Sequence, residues 1–290
     1  MTIAACYLSS EGVVFGADST STYTTVLQQG GNHMPFTRHL DHAQKIFEIG
    51  EHGTLGIVTW GAGRVGNMSH RTLVASVSDE WSAQKRVGSV QEAADYFAAH
   101  FWKIYSSAYK SEIQRFAHLR ALPHRTKDED SELAAIAQNL SGGYCVGGNW
   151  HDDRHPKAFE IGFGPHLVAP PIPVPMTVGG ARFWGCPNII GRMLFGIDRQ
   201  VYDGIVASGK WNGTQQELDA IIGEAKLFQH NDMPLREAMD FVHATIHATI
   251  KAMKFSQLAA VCGGPIEIAV VASDRRFRWV KHKSLDQAVT

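Results

Sequence analysis

Cysteine, net charge and long apolar runs are all scarce in this sequence. Its 290 residues hold 4 cysteines, Cys6, Cys145, Cys186 and Cys262. No two stand in a C-x-x-C spacing, which argues against a thiolate metal site or a thioredoxin-type redox pair. Cys6 and Cys145 sit in apolar runs, where cysteine behaves as a small hydrophobe, so buried free thiols are expected. The formal net charge is −1, which gives no electrostatic footing for nucleic acid or an anionic membrane. No stretch approaches the ~20 apolar residues that span a bilayer. The first residues lack the basic-then-apolar pattern of a secretory signal, so a cytoplasmic location is expected. His243 and His247 are four apart, but no glutamate follows His243 as in H-E-x-x-H, and a surface pair is expected. His151, Asp152, Asp153 and His155 read as a polar turn. Neither a metal nor a cofactor is expected.

Hydrophobic residues make up 44% of the chain and charged residues 19%, enough for a substantial core, and 290 residues suit one large domain or two small ones. The pattern begins with a hairpin of strands 2–8 and 12–18 around the turn Ser9-Ser10-Glu11-Gly12. Polar residues 19–43 read as a long loop. Strands follow at 45–49 and 54–59, then a helical stretch from about 62 to 80. Ser89-Val90-Gln91-Glu92 starts a long helix, whose apolar residues Phe97, Phe101, Ile104, Tyr105 and Ala108 recur at helical spacing. A helical insertion near 110–140 precedes paired strands at 143–149 and 158–163. The proline-rich run 170–175 is extended, and a strand to Val178 leads into Gly179-Gly180. Helices are expected at 183–206, 215–228 and 234–253, with a second insertion near 207–230. Strands 266–272 and 276–281 close the chain. Antiparallel strand groups separated by helix pairs favour stacked layers, two sheets inside and helices outside.

Three polar residues stand out near the start. Asp18 ends the second strand of a hairpin whose first strand begins at Thr2, so the two lie close. Lys45 begins another strand. If Met1 is removed, Thr2 carries a hydroxyl and a free α-amine on adjacent carbons. An α-amine has a pKa of about 7.7–8.0 and can take the hydroxyl proton as a general base. A Lys45 ammonium would favour the free amine and the developing alkoxide, and Asp18 would hold Lys45 in place. Gly61 offers a backbone N–H for an oxyanion.

The segments "GVVFGAD", "AQKIFEI" and "TLGIVTWGAG" resemble the β-type subunits of the proteasome family, which are N-terminal nucleophile hydrolases, and Thr2 precedes Asp18 by sixteen residues as in that family. "GGYCVGGNWHDDRHPKAFEIGFGP", "MTVGG" and "PIEIAVVASDRRFRWV" extend the likeness along the chain in order. The resemblance implies a four-layer α/β/β/α sandwich of two antiparallel sheets flanked by helices. It implies a threonine peptidase with Thr2 as nucleophile, Asp18 and Lys45 as supports, Gly61 as oxyanion donor and Thr22 against the bound peptide. It also implies a homo-oligomeric ring, with peptide or unfolded protein as substrate and an ATPase as a conceivable partner. The sequence departs from the family in a longer segment between Asp18 and Lys45. Gly180 stands where the family has a serine, and "FSQLAAVCGGPIE" holds no matching late aspartate. Two alternatives therefore stay open: a non-catalytic ring subunit or scaffold, and a small-molecule amidohydrolase of the same fold.

Overall fold

Ile3, Ala5 and Tyr7 face one side of the first strand, Ala4, Cys6 and Leu8 face the other, and all six are buried. Successive strand residues point to opposite faces, so a strand buried on both faces lies between two layers. The whole architecture follows from that strand. It is seen here in a computed structural model that describes residues 2–29, 32–50, 53–83, 88–150, 153–224, 232–256 and 261–283.

In chain order, β1 (Ile3–Ser9) and β2 (Gly12–Ala17) form the opening hairpin, and β3 (Ser21–Gln29) and β4 (Asn32–Leu40) a second one. Then come β5 (Ile46–Ile49), β6 (Leu55–Gly61) and the short pair β7 (Arg64–Val65) and β8 (Met68–Ser69). Four helices follow: α1 (His70–Ala83), α2 (Val90–Ala108), α3 (Lys110–Ala121) and α4 (Lys127–Leu140). The chain returns to strands in β9 (Gly142–Trp150), β10 (Asp153–Phe163), β11 (Val174–Pro175) and β12 (Gly180–Gly185). After α5 (Asn188–Phe195), α6 (Arg199–Ala207), α7 (Gln215–Glu224) and α8 (Leu235–Phe255) it ends with β13 (Glu267–Ala272) and β14 (Arg275–Lys281).

Two antiparallel five-stranded sheets result, ordered β12-β1-β2-β13-β14 and β11-β10-β9-β6-β5. Between them lie Cys6, Val13, Phe15, Val58, Cys145 and Phe277. On the outer face of the first sheet, Tyr7 and Val14 meet Val242 and Ile246 of α8 and Ile190 of α5. On the outer face of the second, Ile57 and Val146 meet Leu73 of α1 and Phe97 and Phe101 of α2. The layers are helix, sheet, sheet, helix, as the sequence implies. Burying a side chain the size of Phe15 or Ile57 contributes about 1.5–3 kcal/mol. Gly16 lets α8 come close, since a Cβ there would run into Val242 and Ile246.

The boundaries depart from expectation in four places. Residues 19–43 are not one loop, because β3 and β4 pair from Ser21↔Leu40 to Gln29↔Asn32. Their polar residues conceal a hairpin lying outside the two large sheets. The helix expected from 62 starts only at His70, after the β7–β8 pair. Residues 183–185, expected to start a helix, belong to strand β12, which pairs along β1 from Leu8↔Gly180 to Ile3↔Gly185. The helical stretch to 206 is two helices, broken where Gly196 takes a left-handed φ of 74°. The insertion near 110–140 is the pair α3 and α4, joined by the Arg115–Glu132 ion pair and started at α4 by a Thr126–Glu129 capping box. Of the turn residues, His151 and Asp152 lie outside those described, as do 225–230 of the second insertion.

Candidate active site

One end of the sheet pair gathers the polar residues. Ala17, the last residue of β2, pairs with Ala4 of β1 and Glu267 of β13. Asp18 therefore falls beside the start of β1, where its N–H donates to the Ile3 carbonyl at 3.1 Å. Its carboxylate is fully buried. Oδ1 accepts from the Ile3 N–H at 3.0 Å and from Lys45 Nζ at 2.5 Å. Oδ2 accepts from the N–H groups of Thr20 at 3.2 Å and Gly263 at 2.9 Å. Burying a carboxylate costs little only when its lone pairs are occupied, and here both oxygens are.

Lys45 sits one residue before β5, and its carbonyl accepts from the Thr59 N–H of β6 at 2.9 Å. Nζ donates to the Thr20 carbonyl at 2.8 Å as well as to Asp18. Burial pushes the Lys45 pKa below the ordinary lysine value, and the charge and hydrogen bond of Asp18 work against that shift. Thr2 is 6% exposed and precedes β1. Its carbonyl packs against Gly185, the last residue of β12, which has φ +87° and no room for a Cβ. Gly61 ends β6 with φ +90° opposite Gly142 of β9. A Cβ at Gly61 would strike Gly142 and the Ser141 carbonyl. Glycine is required there by the neighbouring strand.

Thr2, Lys45, Gly61 and Thr22 all line one cavity of about 440 Å³. Asp18 does not line it, but lies behind Lys45 and fixes it. Thr22 stands at the start of β3 with its hydroxyl 3.1 Å from His39 Nδ1 on β4, so the unexpected hairpin supplies one wall. Gly180 does not stand beside Thr2. It pairs with Leu8, at the far end of β1, and the residue next to Thr2 is Gly185, followed by the buried Cys186.

Several residues at this end carry no sequence signal. His70 lines the cavity, with Nε2 2.6 Å from the Ala62 carbonyl and Nδ1 2.9 Å from the Tyr144 hydroxyl. A carbonyl only accepts, so Nε2 holds the proton and the Tyr144 hydroxyl donates to Nδ1. Burial lowers the His70 pKa and keeps this neutral tautomer. The segment after Gly61 is thereby tied to β9. Behind Asp18, Lys283 Nζ donates to Glu267 Oε2 at 2.8 Å and to the Ala43 carbonyl at 3.0 Å, and Glu267 is fully buried. The Gly263 N–H was likewise unreadable, because only its place before β13 brings it to Asp18.

Elsewhere, His243 faces Lys281 at 2.9 Å across the surface of α8. No group of three or more metal-ligating side chains occurs among the described residues. All four cysteines are free and buried. No helix among the described residues is long and apolar enough to cross a membrane.

No protein-family model matches the chain, and no curated protein sequence matches it. Among solved structures it is similar to an Anbu (Gly-1) mutant from Hyphomicrobium sp. strain MC1, with 14% identity, 98% of this chain and 86% of that chain covered, and a TM-score of 0.47. That likeness is too loose to bear on chemistry.

Proposed function

We propose that the chain is an N-terminal threonine hydrolase that cleaves peptide bonds, with residues 1–290 as one N-terminal nucleophile hydrolase domain. The observation that carries this reading is the buried Asp18–Lys45 pair behind a cavity that Thr2 also lines. After removal of Met1, the Thr2 hydroxyl attacks the substrate carbonyl carbon and gives its proton to the Thr2 α-amine. The oxyanion of the tetrahedral intermediate meets the Gly61 N–H, and Lys45 offsets the negative charge. Collapse expels the leaving amine, which takes the proton from the α-amine, and leaves an ester on Thr2. Water then attacks the ester with the same amine as base, releasing the carboxylic acid and the free threonine. Thr22 borders the bound peptide. Thr2→Ala lowers turnover of fluorogenic peptides by at least 10²-fold while circular dichroism stays unchanged, and Lys45→Ala does so with a lower melting temperature as well, because it leaves the buried Asp18 carboxylate without its cation. Wild-type turnover in either variant removes that residue from the mechanism.

The family resemblance also supports a homo-oligomeric ring in the cytoplasm. Val168 and Ile172, exposed at 96% and 85%, are apolar side chains that a neighbouring copy would cover. Light scattering at micromolar concentration reads a mass of several chains under this reading, and the 31.9 kDa of one chain without it.

A further inference from the structure

The cavity has a one-sided charge. Among the residues that line it are Lys45, Arg64 and Arg71, together with His42 and His70, and there is no aspartate or glutamate among the described ones. Lys45 is neutralised by Asp18. His70 is held neutral, its Nε2–H donating to the Ala62 carbonyl. The two arginines are left as net charge. Arg115, Arg125, Arg182 and Arg192 each face a carboxylate elsewhere in the molecule. Arg64 and Arg71 face none among the described residues.

Arg71 is also held in place. Its guanidinium donates to the Gln44 side-chain oxygen. The Gln44 amide nitrogen is committed to the Ile46 carbonyl at 2.8 Å, which fixes the oxygen toward Arg71. Gln44 is the neighbour of Lys45 in sequence, so Arg71 is anchored to the segment that carries the proposed catalytic lysine. Arg71 lies in the first turn of α1, which contains no acidic residue. Arg64 follows Gly61-Ala62-Gly63 and reaches the cavity from β7. Both arginines are exposed to solvent, and a planar guanidinium with free N–H groups matches a carboxylate in two parallel hydrogen bonds.

We infer that this site selects acyl groups that carry a carboxylate, held by Arg71 and Arg64 while Thr2 attacks the neighbouring carbonyl. The inference rests on the proposed role of Thr2 and adds the substrate class. In a peptide the carboxylate is the side chain of glutamate or aspartate on the acyl side of the cleaved bond. In a short substrate it is a free terminal carboxylate. A basic group there meets two arginines and is rejected, because specificity comes from repulsion as well as attraction.

The test compares peptide epoxyketones that differ only in the residue bearing the electrophile, glutamate, glutamine, leucine or arginine, alongside a short diacid half-amide as competitor. Adduct formation on Thr2 is followed by intact mass. The expected order places glutamate at least tenfold ahead of glutamine, with arginine slowest, and the preference shrinks as salt rises. Arg71→Gln and Arg64→Gln bring the glutamate-to-glutamine ratio toward one, and Arg71→Glu moves the preference toward arginine. Protection by the half-amide as strong as by a glutamate peptide identifies a terminal carboxylate as sufficient. Equal labelling by glutamate and glutamine probes, or a ratio the arginine variants leave unchanged, overturns the inference and leaves Thr2 as nucleophile. The absence of any adduct contradicts the hydrolase reading instead. The carboxylate site is then judged by calorimetry on Thr2→Ala with glutamate and glutamine peptides, where equal affinity overturns it.

Discussion

At the scale of single residues, the site depends on groups whose protonation is set by burial. His70 is the clearest case. Its pKa is lowered from 6.5 by desolvation, so the folded protein keeps the ring neutral while the unfolded chain takes up a proton. The sign follows from that difference. Stability contributed by neutral His70 is present above pH 6.5 and is lost as the pH falls from 6.5 toward the lower folded value, by up to ~1.4 kcal/mol per pH unit within that window. His70→Gln, whose amide donates to Ala62 without titrating, gives a flatter stability–pH curve below 6.5. An unchanged slope in chemical denaturation across that range removes His70 from the account. The closeness of Thr2, Asp18 and Lys45 was legible in the sequence because a hairpin returns the chain to its starting point and a strand begins just after Lys45. His70 was not, since a histidine in a polar stretch gives no sign of the carbonyl it will meet.

At the scale of elements, alternation and capping carried most of the information. β1, β2, β9 and β10 alternate their faces, and α2 starts at Ser89, whose side chain accepts from the Glu92 N–H. Helical spacing predicts Leu235, Met239, Val242, Ile246 and Met253 on the buried face of α8; Val242, Ile246 and Met253 are buried, and Leu235 and Met239 only partly. β3 and β4 were hidden because a hairpin outside the main sheets needs no apolar alternation. β12 was hidden because its burial is uneven, from partly exposed Gly180 to buried Trp184, whose ring stacks on Trp60 at 4.2 Å. That strand is nevertheless what seats Thr2, through Gly185. Gly185→Ala forces a Cβ onto the Thr2 carbonyl at a φ of +87° that other residues rarely adopt. The expected outcome is a fall in melting temperature corresponding to ~2 kcal/mol or more, with loss of turnover beyond that of stability-matched variants. A variant as stable and active as the parent contradicts this placement of β12.

At the scale of the whole molecule, segments far apart in sequence meet near Asp18. Asp18 accepts from the Ile3 N–H of β1, and Lys283, after β14, reaches Ser19, the residue after Asp18, and Glu267 of β13. Sequence order gave no hint of this, because Glu267 lies in an apolar strand and Lys283 lies beyond the last one. Glu267 is fully buried and faces both Lys283 Nζ at 2.8 Å and His282 Nδ1 at 2.6 Å, and removing one partner of a buried pair costs about 3–5 kcal/mol. Glu267→Ala therefore destabilises strongly, while Glu267→Ala combined with Lys283→Met recovers part of the loss. Two losses that simply add in urea titrations contradict the coupling. The most direct test of Thr2 as nucleophile is the intact mass of the protein produced in its own cells, before and after treatment with a β-lactone. The expected result is loss of Met1 and one adduct on Thr2, absent in Thr2→Ala. A retained Met1, or a free Thr2 terminus that the lactone leaves unmodified, contradicts it.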